Sequence, residues 1–336
     1  MPLEPVIEII SILFIATLID ITIGEPPNRM HPVVMIGRII KFFTKIIKNA
    51  SRYRKGKGKG KETFEKVMGS ILASGLTVMV GVVVYYVSTQ SFYLLGTIFF
   101  VIVSSAILKT TFSIRAMDNH IREILVELDK NDLNKARTNL SKIVSRDTRN
   151  LSESRILSAC IECVAESFVD GILSPLFYYG FLNIPGSMMY RTINTLDSMI
   201  AYKDDYYNKL GWMSAKLDTI LNAIPARLSS VFLIASIMVC GQDWKNAIKI
   251  FKRDYKNTES FNAGIPMSIM AGGLNIRLEK IDHYKLGDMK EQLTSQKCKT
   301  SLKITKIATL IFMISFLIPV IIILNYFNWW TILFGI

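Results

Sequence analysis

The sequence is poor in the residues that staple small folds or bind transition metals. Of 336 residues, four are cysteine and three are histidine. The scattered Cys160, Cys163, Cys240 and Cys298 exclude a disulfide framework. Cys160 and Cys163 form one CxxC, but no second pair stands at zinc-site spacing, so they read as helix positions that carry thiols. No GxxxxGK[ST], HExxH or GxSxG occurs, so phosphate-loop, zincin and serine-hydrolase chemistry have no local signature. Long alternating β-branched runs, sustained heptads and internal repeats are also missing, which leaves an all-α fold class. Charge is the most informative absence. Val67 to Leu108 contains no charged residue, and neither does Ile307 to Ile336.

A spanning helix needs about 20 apolar residues to cross roughly 30 Å of hydrocarbon. The first uncharged run suffices for two crossings, with Ser88, Thr89, Gln90 and Ser91 as a polar turn. The second gives one crossing to about Phe327, followed by Trp329 and Trp330 at the depth that indole rings favour. Val6 to Ile23 is a weaker span, with Glu8 and Asp20 near its ends. No basic residue precedes it and no small-residue cleavage site is evident, which argues against a signal peptide. The chain reads as a multi-pass protein of the cell membrane, with the lipid bilayer as its first partner.

Positive charge, by contrast, is abundant: 40 basic against 27 acidic residues, a formal +13. Much of it lies in Lys41 to Lys66. That stretch is compatible with a nucleic-acid arm or with a flexible cytoplasmic loop that fixes orientation and touches anionic headgroups. Its lack of interleaved aromatics and its place between two membrane segments favour the loop, so no nucleic-acid partner is expected. The basic segment 241–304 is cytoplasmic by the same rule, so an even number of crossings separates the two. Gly171 to Tyr190 carries Pro175, Pro185 and three glycines, and Leu221 to Cys240 carries Pro225 and Arg227. Both are expected as re-entrant or core helices rather than spans. The expected architecture is a polytopic helical membrane protein with about four crossings and both ends outside. It has three parts: membrane helices with a basic loop over 1–108, a helical cytoplasmic and re-entrant region over 109–306, and a C-terminal membrane helix over 307–336.

Polar residues cluster within this apolar frame. A helix from about Glu153 to Gly171 is predicted to stack Glu162, Glu166 and Asp170 at i, i+4, i+8, opposite an apolar face of Ile156, Leu157, Cys160, Ile161, Val164 and Phe168. Like charges four apart repel by a few tenths of a kcal/mol per pair, and no basic residue relieves them. The strip is either an ordinary solvated face or a site for a hard cation, most naturally Mg²⁺ carrying phosphate. Arg191, Asn194 and Asp197 project from one side of a helix. Asp218, Asn222 and, beyond a proline break, Arg227 repeat the combination. Each unit offers a guanidinium for phosphate or carboxylate, beside a carboxylate and an amide for metal or amine. Capping or interhelix bonding is the competing role. His31, held before Pro32, is either a satisfied hydrogen-bonding group or a working base. Asn262 to Gly264 and Met270 to Leu274 supply small residues, for close approach of a ligand or of another helix.

In order, these segments resemble one family, the adenosylcobinamide-phosphate synthases of cobalamin biosynthesis, from Asp20 to about Leu278. The resemblance is carried by Asp20 with Gly24-Glu25-Pro26-Pro27, His31-Pro32-Val33 and Gly37, then by Ser145-Arg146-Asp147-Thr148. Glu162, Glu166, Asp170-Gly171 and Pro175 follow. The most specific block is Tyr190-Arg191, Asn194-Thr195-Leu196-Asp197-Ser198-Met199, Gly211-Trp212, Leu217-Asp218 and Ile224-Pro225-Ala226-Arg227-Leu228. Asn262-Ala263-Gly264 and Met270-Ala271-Gly272 close it. Ser167, Cys163, Phe261 and Glu25 depart from the family's usual Asn, Ser, Pro and Asp.

The resemblance implies amide-bond formation between a corrinoid carboxylate, that of adenosylcobyric acid, and (R)-1-aminopropan-2-ol or its O-phosphate. A carboxylate is a poor acyl donor at neutral pH, so the implied cofactors are ATP and Mg²⁺. Asp197 or Asp218 would accept the amine proton while Asn194 and Asn222 orient the substrates. Arg146, Arg191, Arg227, His31 and Asn262 would bind substrate and phosphate, and Glu162, Glu166 and Asp170 would hold the metal. The active site would face the cytoplasm, within reach of other membrane enzymes of the pathway. A transporter or a sensory protein related to the family is the alternative, but the uncharged spans speak against transport.

Overall fold

The computed structural model describes residues 4–53, 59–202, 204 and 206–334. In chain order the elements are α1 (Glu4–Thr22), α2 (Pro32–Tyr53), α3 (Lys59–Lys109), α4 (Ile114–Asp129), α5 (Leu133–Leu140), α6 (Glu153–Phe168), α7 (Ser174–Ile200), α8 (Trp212–Leu221) and α9 (Ala223–Val239). Then come α10 (Trp244–Asp254), α11 (Phe261–Gly273), β1 (Leu278–Lys280), β2 (Tyr284–Leu286), α12 (Ser295–Phe312), α13 (Ile318–Tyr326) and α14 (Trp329–Phe334). The helical fold class expected from the sequence holds. The strands are one antiparallel hairpin pairing Leu278 with Leu286, turned at Asp282 with positive φ. Three residues per strand are too few to show alternation in sequence.

By length and composition, two helices can cross a membrane, Gly60–Asp129 and Ser295–Tyr326, or up to three if the bent pair α8 and α9 counts as one. The chain forms two compact units. One holds residues 1–112, 174–221 and 317–336, the other 113–173 and 222–316. This differs from the three-part division expected above. Residues 174–221 fold with the N-terminal helices because α7 and α8 pack on α3.

In the first unit, α3 folds back on itself. Gly81 packs on Met189, and Thr111 accepts the Ser187 hydroxyl at 2.8 Å, so positions on either side of Gly96 stand at one level. The reversal is at Gly96, whose φ of 80° suits a residue without Cβ. It is not at Ser88 to Ser91, as expected. There the Ser91 hydroxyl donates to the Ser88 carbonyl at 2.6 Å and the Thr89 hydroxyl to the Tyr85 carbonyl at 2.8 Å, so these two side chains bond back to their own helix, which runs on.

The stretch expected to be re-entrant does double back. Asn183 takes φ 54° ahead of Pro185, and Tyr178 stacks on Tyr190 at 5.4 Å. In a straight helix those two would be about 18 Å apart. Gly211 lies against the Ile200 carbonyl, where a Cβ would clash, so α8 starts hard against the end of α7.

The expectation of a flexible basic loop needs correction. Residues 41–53 and 59–66 are helical, in α2 and α3, and only 54–58 of the basic stretch fall outside the described residues. α2 forms because Ile36, Ile40, Thr44, Ile47 and Ser51 recur on one buried face. The indoles near the end of the chain's last uncharged run are held by the protein itself. Trp329 Nε1 donates to the Phe181 carbonyl at 2.8 Å, and Trp330 is buried.

The second unit surrounds α6, which is buried on nearly every side, with α5, α11 and α12 among its neighbours. The break expected after α4 is present: Asn131 takes positive φ and Asp132 caps α5 by accepting from Lys135 N at 3.0 Å. The glycines of α11 serve helix packing. Gly264 lies against the Tyr255 carbonyl, and Gly272 against Asn246 and Ala247 of α10.

Candidate functional site

The predicted site residues fall in both units. In the first, α7 supplies Arg191, Asn194 and Asp197, and α8 supplies Asp218, all half-buried. Arg191 Nη1 donates to Asn194 Oδ1 at 3.1 Å, and Asn194 Nδ2 donates to Asp218 Oδ1 at 3.3 Å. The guanidinium fixes which end of the amide is oxygen, so the NH₂ must face the carboxylate. Two residues 24 apart in sequence thus form one polar chain between two helices. It can hold an ionised carboxylate ready to accept a proton, and it also ties α7 to α8.

The rest of the second Arg/Asn/Asp unit does not join it within that unit. Asn222 is a buried residue at the start of α9, in the other compact unit. The helix break falls at Asn222 and not at Pro225, because Pro is tolerated in a first helical turn. Arg227 is exposed, and its Nη1 donates to the Ala223 carbonyl at 2.6 Å.

His31 is a satisfied hydrogen-bonding group. Its Nδ1 accepts from Val33 N at 3.2 Å, capping α2 ahead of Pro32 at the first helical position. That leaves Nε2 to carry the proton toward Glu25 Oε2 at 3.1 Å. Glu25 also meets Lys109 Nζ at 2.8 Å, and Lys109 meets Asp20 at 2.9 Å. Asp20 is 0% and Lys109 1% exposed, so the Asp20 and Gly24 to Val33 motifs build an ion network around a buried Lys109–Asp20 pair, with Glu25 at its exposed edge. Sequence reasoning missed Lys109, which sits at the edge of an uncharged run with no local partner.

In the second unit Glu162 is the centre. Its carboxylate pairs with the Arg146 guanidinium and accepts from Ser158 Oγ at 2.7 Å and from the Tyr284 hydroxyl at 2.8 Å. Ser158 in turn accepts from Glu279 N at 2.9 Å, which ties the β-hairpin to α6. Burial, and then the Glu162 charge, push the Tyr284 phenol far above its ordinary value, so it stays a neutral donor. Ser158, four residues before Glu162, was readable from helical spacing. Tyr284 was not, because nothing local signals a partner 122 positions away.

The acidic strip is corrected accordingly. Glu162 is 2% exposed and engaged by three donors, Glu166 is exposed, and Asp170 lies in the π-helical turn Val169–Leu173. A π turn takes more residues per revolution, so the i, i+4, i+8 register is not kept. Among the described residues no three His, Cys, Asp or Glu side chains group as metal ligands. Glu162, Glu166 and Asp170 therefore do not fit one Mg²⁺ centre. Burial raises the Cys160 thiol, and lifts Cys163 to about 11, so both stay protonated and the CxxC is inert. Asn262 is half-buried in the first turn of α11.

Arg146 also borders open space. A cavity of about 460 Å³ is lined by Arg137, Thr138, Ser141, Arg146, Asp147, Thr148 and Arg149, among others. A smaller one of about 140 Å³ shares Arg146 and Asp147 and adds Arg155, Lys280 and His283. The bidentate Arg149 fork, together with the Arg149 N–H, pulls Asp147 down to about 2.

The family model described as CobD/Cbib protein matches residues 13–314. The chain is 39% identical over 313 residues to the "Probable cobalamin biosynthesis protein CobD" of Thermoplasma acidophilum, covering 93% of this chain and 98% of that one. It is 33% identical over 306 residues to the protein of that name from Methanothermobacter thermautotrophicus, covering 90% and 95%. It is 34% identical over 312 residues to the "Cobalamin biosynthesis protein CobD" of Leptospira interrogans, again covering 90% and 95%. No solved structure matches.

Proposed function

The chain belongs to the CobD/Cbib protein family, and from that premise we propose that it is the cobalamin-biosynthesis enzyme joining a corrinoid carboxylate to an amino alcohol. The acyl donor is adenosylcobyric acid and the amine is (R)-1-aminopropan-2-ol or its O-phosphate. The product is adenosylcobinamide or its phosphate.

The observation that carries the mechanism is the Arg191–Asn194–Asp218 chain. An ammonium is no nucleophile, so amide formation needs a group that takes its proton as the nitrogen attacks. Asp218, with its orientation set by Asn194, is that acceptor in this reading, and Asp197 on the neighbouring turn of α7 shares the duty. Arg191 fixes Asn194 and presents positive charge to anionic substrate. Asn222, Arg227, Arg146, Asn262 and His31 keep supporting roles in substrate binding, His31 through the network that it caps.

Activation of the carboxylate by ATP is part of the proposal. The carboxylate oxygen displaces a phosphate-bearing leaving group from the nucleotide, and the amine then displaces that activated oxygen. Magnesium enters as the partner of ATP, and no step is assigned to Glu162, Glu166 and Asp170.

The test uses purified protein with adenosylcobyric acid, aminopropanol phosphate and Mg-ATP, followed by mass detection of the amide. Asp218→Asn should cut kcat by about 100-fold or more, the usual range for a lost general base. Its melting temperature should stay within a degree or two of the parent. No product from the parent protein, where a known relative turns over, sinks the reading. An equally active Asp218→Asn protein removes the assigned base.

A further inference from the structure

We infer that the cavity walled by Arg137, Arg146 and Arg149 is a binding site for the phosphate groups of a small-molecule substrate. This deepens the reading above and rests on it for the identity of the ligand, because both the nucleotide and the phosphorylated amine carry a terminal phosphate.

Three observations carry the inference. First, three arginines line the larger cavity with a single carboxylate, Asp147, among them. The planar fork of Arg suits phosphate oxygens, and such pairs are among the strongest hydrogen bonds proteins make.

Second, each guanidinium is anchored along one part and has further N–H groups to offer. Arg137 donates through Nε to the Leu151 carbonyl at 2.9 Å and through Nη1 to Asn134 at 3.3 Å. Arg146 is pinned by Glu162 through Nη2, and Arg149 lies on Asp147 through Nε and Nη2. Among the described residues Nη2 of Arg137, Nη1 of Arg146 and Nη1 of Arg149 have no protein acceptor. The Thr148 hydroxyl, which donates to the Arg137 carbonyl at 3.0 Å, holds the loop against α5. Anchored cations lose little freedom on binding.

Third, the space suffices. About 460 Å³ falls within the usual size of small-molecule sites. The adjoining 140 Å³ space adds Arg155 and Lys280 to this cationic set, with Glu279 as a further carboxylate.

Asp147 then acts as a resident counter-ion. It occupies Arg149 until a better anion arrives, and the pair is open to solvent, with Arg149 85% and Asp147 57% exposed, so exchange is easy. This gives the inference a signature that a merely structural loop lacks. Removing Asp147 should tighten anion binding, whereas removing Arg149 should loosen it.

Isothermal titration of the full-length detergent-purified protein, with inorganic triphosphate, ATP and aminopropanol phosphate as separate probes, tests this. The parent should bind at least one probe. Arg149→Glu should weaken it at least tenfold, and Asp147→Asn should strengthen it several-fold. Arg149→Gln, milder at an exposed site, guards against misfolding and should weaken binding by a smaller factor. Competition by triphosphate against ATP alone assigns the site to the nucleotide, and competition against aminopropanol phosphate alone assigns it to the amine. Equal affinity of parent and Arg149→Glu, or weaker binding by Asp147→Asn, overturns the inference. If the protein makes amide yet both variants bind like the parent, the inference fails and the function stands. If it makes no amide but shows the opposed shifts, the function fails and the phosphate site stands.

Discussion

The two compact units bury their charges in different ways. In the first, charge is neutralised in tight ion pairs: Lys109 against Asp20 and Glu25, and Lys48 against Glu65 at 2.8 Å with Ser51 alongside at 2.7 Å. The helices around these pairs show large apolar side chains to the outside, such as Phe14, Phe42, Val82 and Ile98. In the second unit, Glu162 is shared by an arginine, a tyrosine and a serine, and that arginine reaches on to a cavity wall. A charge enclosed among helices must be paired at once, because desolvation costs several kcal/mol per ion. A charge beside a water-filled cavity can keep spare valence. The first unit therefore spends most of its polar groups on structure, apart from the Arg191–Asn194–Asp218 chain, and the second has capacity left for ligand.

The sharpest way to break this comparison is to unpair a charge in the first unit. Lys109→Met removes the cation shared by Asp20, which is fully enclosed, and Glu25. The expected loss is about 3–5 kcal/mol, the usual consequence of stranding one member of a buried pair. It should appear as a collapse in the yield of monodisperse protein and a lower melting temperature in detergent. Replacing Asp20 with Asn as well should recover much of that loss, since removing both partners is often near neutral. A Lys109→Met protein as stable as the parent would show that the network is not structural.

How much of this was legible in the sequence depends on the range of the interaction. The helical class, the break at Asn131, the doubled-back segment around Asn183 and the polar chemistry of Arg191, Asn194 and Asp218 could be read locally, from spacing, turn residues and uncharged length. The turn at Gly96 could not, because four polar residues at Ser88 to Ser91 signal a turn more loudly than one glycine does, yet Thr89 and Ser91 bond back to the helix, which continues through them. The fate of Glu162 was equally hidden. An acidic residue on a helix looks solvent-facing until a β-hairpin more than a hundred residues later covers it. The division into units was obscured because the chain leaves and re-enters each of them.

Glu162 gives the next prediction, smaller because its neighbours are partly wet. Glu162→Gln keeps the shape but loses the charge facing Arg146. It should cost about 1.5–3 kcal/mol, the range for hydrogen bonds to a charged group, read as a lower melting temperature. The dependence of turnover on Mg²⁺ concentration should be unchanged, because the carboxylate is already taken by protein donors. A rise in the Mg²⁺ requirement would return Glu162 to the metal and undo the contrast drawn between the units.

The smallest effect belongs to Asp254, at the end of α10 in the second unit. Burial alone would raise its carboxyl, but two bonds from Arg253, at 2.6 and 2.8 Å, and the Gly287 N–H at 2.7 Å outweigh that and lower it. A carboxyl whose folded value lies below its unfolded value of about 3.9 stabilises the protein at all pH above that value. The contribution fades as pH falls through the folded value, where the native carboxylate also takes up a proton. Asp254→Asn keeps an acceptor for Gly287 but has no charge to lose. It should therefore be about 1 kcal/mol less stable than the parent at pH 7. That gap should narrow as pH drops below about 4, as read from paired unfolding curves at pH 7, 5 and 3. A gap that stays constant with pH would mean that Asp254 acts through shape alone. The second unit would then lean on its charges less than the comparison requires.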